Sequence, residues 1–163
     1  MKNYLFSFIV FSIIAFTSSK TFAHCEIPCG IYNDELRIAL LYEHFTTIEK
    51  AMNQITDLLN ASDENYMMIT RWTNAKEDHA NKVQEVAEQY FLTQRVKPVD
   101  ESDTENFAKY QKQLTLLHHI IVYAMKTKQT TDLKYVEQLR TTLAQFEDLY
   151  FEGQHRHKIE QSH

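Results

Sequence analysis

His24, Cys25 and Cys29 carry metal-binding donor atoms at a spacing suited to gripping a single ion. The chain has two cysteines, and both fall in "TFAHCEIPCGIY", beside one of its two prolines and one of its two glycines. If the chain is cut ahead of His24, the new amine, the Cys25 backbone nitrogen and the Cys25 thiolate can close two fused five-membered chelate rings on one ion. Pro28 and Gly30 bend the chain so that Cys29 can return a second thiolate and complete a flat N2S2 plane. Tetrahedral zinc sites rarely use backbone nitrogen and usually draw on two separated ligand pairs. Square-planar nitrogen and sulfur point instead to divalent nickel or copper. The His24 imidazole is left for the axial side, where it is useful to a metal that changes oxidation state.

A Cys25–Cys29 disulfide is the competing reading, and for a lone cysteine pair in an exported protein it is the usual one. Two features count against it. The closed loop would be very short, so it would constrain little of the unfolded chain. Both cysteines also lie at the extreme start of the mature chain, where a staple has little to hold.

The chelate needs a free amine at His24, and the preceding residues supply a route to it. Residues 1–23 have the pattern of a cleaved signal peptide: Lys2, an apolar run from Leu5 to Phe16, then small residues at Thr21 and Ala23 for a cut after Ala23. The apolar run is too short to span a membrane. The mature protein is therefore expected to be exported, periplasmic or extracellular, with no stable membrane anchor.

The sequence is 163 residues long. About 140 residues remain after cleavage, a length typical of one domain. The formal charge of −5 becomes more negative when Lys2 and Lys20 leave. Such an acidic chain argues against nucleic acid as a partner. The stretch 154–163 is read as a polar tail; its His155, His157 and His163 are better explained by a solvated terminus than by a second metal site.

The hook must be carried by helices, because after residue 30 the helix breakers are Pro98 and Gly153 alone. Four amphipathic segments are expected within 33–153. The first carries Leu41, Phe45, Ile48, Met52, Ile55 and Leu59, with Asn33 or Asp34 as its cap. The second, capped by Ser62 or Asp63, carries Trp72, Ala75, His79, Val83, Val86 and Tyr90. After a turn at Pro98 and "VDESDTEN", the third carries Phe107, Tyr110, Leu114, Leu117, Ile121 and Ala124. The fourth carries Val136, Leu139, Leu143, Phe146 and Tyr150. Long helices with short connections give an all-α, up-down-up-down antiparallel four-helix bundle. His79, inside an apolar stripe, needs a hydrogen-bond partner. The neighbouring His118 and His119 cannot both face inward, since successive helical residues point about 100° apart.

With these residues in view, "HCEIPCGIY" at 24–32 resembles the N-terminal hook of the nickel superoxide dismutases, whose pattern is H-C-x-x-P-C-G-x-Y. "TRWTNAKEDHANKVQE" and "QYFLTQRVKP" resemble the second helix of proteobacterial members. The resemblance implies one nickel ion per subunit held by His24, Cys25 and Cys29, with Tyr32 beside the open face and superoxide as substrate. It further implies a homohexamer of four-helix bundles. Better-known members steady the axial imidazole with a glutamate and an arginine. The matching positions here are near Ala39 and His79, so Glu43 and His79 are the residues expected to serve instead. An exported nickel or copper carrier without turnover is the alternative reading, and a structural bundle with a terminal disulfide is a further one.

Overall fold

The structure, a computed structural model, describes residues 28, 30–61 and 65–151. The expected signal peptide, His24, Cys25, Cys29, Ser62, Asp63 and the tail 154–163 lie outside the described residues. Two units are distinguished, Met1–Tyr32 and Asn33–His163, and each is described by itself.

The second unit consists of α1 (Asp34–Asn60), α2 (Tyr66–Glu85) running straight into a π-helical segment (Val86–Arg95), α3 (Thr104–Gln129) and α4 (Lys134–Tyr150). No strand occurs among the described residues. Each helix packs on its neighbours in chain order, and α4 closes back onto α1. Contacts between the helices fix their directions. From α1 to α4, Tyr42 meets Glu147 and Glu49 meets Arg140. From α1 to α2, His44 meets His79 and Lys50 lies over Trp72. From α2 to α3, Lys76 meets the carbonyl of Lys128 and Gln84 that of Ile121. In each pair one number rises as the other falls, so these neighbours are antiparallel and the all-α bundle runs up-down-up-down.

The first and fourth stripes sit where their periodicity places them. Leu41, Phe45, Ile48 and Met52 are fully buried, as are Leu139, Leu143 and Phe146. Leu59 is 56% exposed and belongs to the frayed end of its stripe rather than to the core. The second stripe holds at Val83 and Tyr90, which are buried as expected, while earlier in the helix the buried positions are shifted by one residue. Lys76, Ala80 and Val83 face the core, while Ala75 and His79 lie half-buried beside it. Lys76 can occupy a core position because its ammonium donates to the carbonyls of Lys128 (3.0 Å) and Thr130 (3.1 Å) at the end of α3. Those carbonyls have no partner within their own helix, and their end of the helix dipole is negative.

The caps follow the same logic. Asn33 caps α1, its side chain accepting from the Leu36 amide at 3.0 Å. Asn65 caps α2, accepting from the Met68 amide at 3.1 Å, so the cap sits closer to the helix than the expected Ser62 or Asp63. His118 and His119 are exposed, in agreement with a surface role. Among the described residues, no helix is long and apolar enough to cross a membrane.

The π-helical segment was not anticipated. Its backbone closes with the Val96 amide on the Phe91 carbonyl at 2.8 Å, five residues back. Side chains follow the same spacing, Thr93 Oγ1 donating to the Glu88 carbonyl and Gln94 Nε2 to the Gln89 carbonyl. The wider turn buries Ala87, Tyr90, Phe91 and Gln94 together. Phe91 then meets Phe146 edge-on at 5.1 Å and Tyr150 at 5.6 Å, closing this end of the core. The segment stops before Pro98, whose ring disfavours helical backbone in the residue ahead of it.

Candidate metal centre and its supporting residues

In the first unit, the Ile31 amide donates to the Pro28 carbonyl at 3.0 Å, which closes a four-residue turn over positions 28–31. Gly30 stands third in this turn with φ +89°, the left-handed backbone that a type II turn needs at that place and that glycine adopts without a Cβ penalty. Pro28, Gly30 and Ile31 thus take part in a real bend. Tyr32, at the end of the motif, is 37% exposed.

The donor set in this stretch fits nickel on its chemistry. Two thiols, an amide and an amine make a soft, strongly donating set of the kind that divalent nickel or copper prefers over hard oxygen ligands. Among the described residues, no group of three His, Cys, Asp or Glu side chains is placed to hold a metal. The three ligands expected from sequence, His24, Cys25 and Cys29, lie outside the described residues.

In the second unit, the start of α1 is fixed by a polar cluster that sequence reading missed. Asp34 accepts from Tyr90 Oη at 2.7 Å, from Arg95 Nε at 2.8 Å and Nη2 at 2.6 Å, and from Tyr150 Oη at 2.9 Å. The Tyr90 hydroxyl in turn accepts from the Asn33 amide at 2.9 Å, and the Arg37 guanidinium lies over its ring. Burial alone would raise the Asp34 carboxyl, but the hydrogen bonds from Arg95, Tyr90 and Tyr150, with the Arg95 charge, bring it below its ordinary value. Burial, reinforced by the bond to Asp34, pushes Tyr90 up to about 12 and raises Tyr150 as well. The hydroxyls therefore stay protonated and act as donors. Asp34 begins α1, so the cluster fixes the start of that helix against α4 and the π-helical segment.

The expected supporting residues Glu43 and His79 both lie on the α1–α2 side. Glu43 is exposed. His79 finds the partner its position required: its Nδ1 lies 3.1 Å from His44 Nδ1, with the rings near-perpendicular. Burial lowers the pKa of both imidazoles, and the His79 charge further lowers His44. Glu43 opposes the shift on each. His44, the new member of this pair, falls outside the apolar stripe of α1, so its pairing left no mark in the periodicity.

The described helices form an all-α bundle, and the cysteine-bearing motif precedes it in the sequence. The family model for nickel-containing superoxide dismutase matches residues 19–154, and the chain belongs to that family. It is accordingly an oxidoreductase that uses nickel and acts on superoxide. Searches of curated proteins and of solved structures give no match.

Proposed function

We propose that the mature protein begins at His24 and binds one nickel ion per subunit through the His24 amine and imidazole, the Cys25 amide and thiolate, and the Cys29 thiolate. The observation that carries this reading is the family match over 19–154, which takes in the whole of "HCEIPCGIY". The Pro28–Ile31 turn supports it, since a bend there lets a short peptide present both cysteines to one ion. When bound, nickel supplies a one-electron couple between Ni(II) and Ni(III), through which two superoxide ions and two protons become one dioxygen and one hydrogen peroxide.

The residues of this chain make that couple accessible and keep it selective. Deprotonated thiolate and amide nitrogen are strong donors, and they stabilise the higher oxidation state far better than water does. The His24 imidazole would be a further nitrogen donor to the ion. Tyr32, by resemblance to the family, would confine small anions and ordered water near the open face of the ion. A free amine is essential, because its replacement by a peptide nitrogen would remove a ligand and a ring at once.

The protein is exported, acts in the periplasm or outside the cell, and assembles as a homohexamer; the signal-like residues 1–23 and the family support these statements. The reading is tested by inserting alanine between Ala23 and His24, with cleavage shifted to expose the alanine. Nickel binding and superoxide turnover should be lost while the far-ultraviolet circular dichroism stays helical. Undiminished turnover would rule out the terminal chelate.

A further inference from the structure

Nothing local asks for the wide turn of Val86–Arg95, since its Ala, Glu, Gln, Leu and Arg are good α-helix formers. A π-helical run of 10 residues is also long, because such turns are rare and mostly single. Elsewhere in the bundle, threonine hydroxyls donate to the carbonyl four residues back, as Thr46, Thr56 and Thr115 do. Thr93 instead donates to Glu88, five residues back, the same step that the Val96 amide takes to the Phe91 carbonyl. Side chain and backbone agree on this step, so something outside the segment holds it.

The step decides which side chains share a face. Residues five apart on an α-helix point about 140° away from each other. On a π-helix, where hydrogen bonds join residues five apart, the same two lie one over the other. Tyr90 and Arg95 are such a pair, and both meet Asp34 Oδ1, Tyr90 Oη at 2.7 Å and Arg95 Nε at 2.8 Å. A second Arg95 bond reaches Asp34 Oδ2 at 2.6 Å. An α-helical step would swing one of the two off the carboxylate. Phe91 also packs here, against Phe146 and Tyr150, but it fixes one position of the segment, whereas Asp34 grips both ends of one five-residue turn. We propose that Asp34 is a clamp holding Val86–Arg95 in the π-helical register, and that the segment relaxes to an α-helix when the clamp is removed. The segment is then a two-state element: in the relaxed state the Val96 amide bonds the Leu92 carbonyl and Arg95 points away from Tyr90.

Crystal structures of the mature protein and of its Asp34→Ala variant test the clamp, because they read the register itself rather than stability. The parent should keep the Val96 amide on the Phe91 carbonyl. The variant should lose that bond and gain one of about 2.9 Å from Val96 to Leu92, with the Thr93 hydroxyl moved from the Glu88 to the Gln89 carbonyl. Arg95→Gln leaves Asp34 and both tyrosines in place but removes the far end of the grip, so it should show the same change and serves if Asp34→Ala folds poorly. A variant that is merely less stable, with Val96 still bonded to Phe91, would assign the register to the packing of Phe91 and overturn the proposal. A four-residue step in the parent would overturn it as well.

Discussion

Replacing Asp34 with alanine removes one acceptor from three donor side chains at once. Each hydrogen bond to a charged group is worth about 1.5–3 kcal/mol net. The full sum does not apply, because Asp34 is 15% and Arg95 27% accessible at the side chain, so solvent screens the pair. The bonds also share a centre and do not add. A loss of about 2–4 kcal/mol is expected, with a fall in thermal midpoint of about 4–16 °C at roughly 2–4 °C per kcal/mol. Urea unfolding followed by circular dichroism measures it directly. Asp34→Asn, which keeps one acceptor oxygen, should lose about half as much, and Tyr150→Phe about 1 kcal/mol.

The acid limb gives an independent check. The folded Asp34 pKa lies below its ordinary 3.8, so its contribution is complete above that value and disappears as pH falls through the lower folded value. The wild-type and Asp34→Ala stability curves should therefore converge in strong acid. A loss below about 0.5 kcal/mol at pH 7, or curves that stay parallel into acid, would refute the reasoning that the cluster anchors α1.

Lys76→Met keeps the side-chain bulk but strips the donors from the end of α3, and a loss of about 1–3 kcal/mol is expected in urea melts. Burial keeps the His44 and His79 pKa values below 6.5, against the opposing pull of Glu43 and Asp78 and with the help of Lys82. Their contribution is complete above about 6.5 and falls with the pH below it, so the urea midpoint should drop between pH 7 and 5. The double Asn variant should flatten that drop. Gly30→Ala meets open space but forces alanine to φ +89°. A local cost of about 1–2 kcal/mol should weaken nickel loading while leaving the melting of the bundle unchanged.

The bundle was legible because α1 and α4 each present one uninterrupted apolar stripe, and because breakers are confined to the connections. Leu41 to Ile55 and Val136 to Phe146 needed no tertiary information. The second helix was harder to read. A lysine at a core position and a histidine beside it invert the usual polarity, and only the carbonyls at the end of α3 explain why Lys76 belongs inside. The π-helical segment has ordinary helix-forming residues, and nothing in "VAEQYFLTQR" distinguishes a five-residue hydrogen-bond step from a four-residue one. Asp34 was visible only as a possible cap. Its partners lie 56, 61 and 116 residues away, and such long-range convergence leaves no local spacing to detect. The hook residues His24, Cys25 and Cys29 lie outside the described residues, and their reading rests on the motif in the sequence together with the family match over 19–154.

Intact mass and metal content of the exported protein, paired with superoxide decay before and after nickel is supplied, test the central claim most directly. The account predicts a chain starting at His24, about one nickel per subunit, and decay that depends on nickel. A Cys25–Cys29 disulfide without bound metal in nickel-replete medium free of reducing agent, with no nickel-dependent decay, would contradict it.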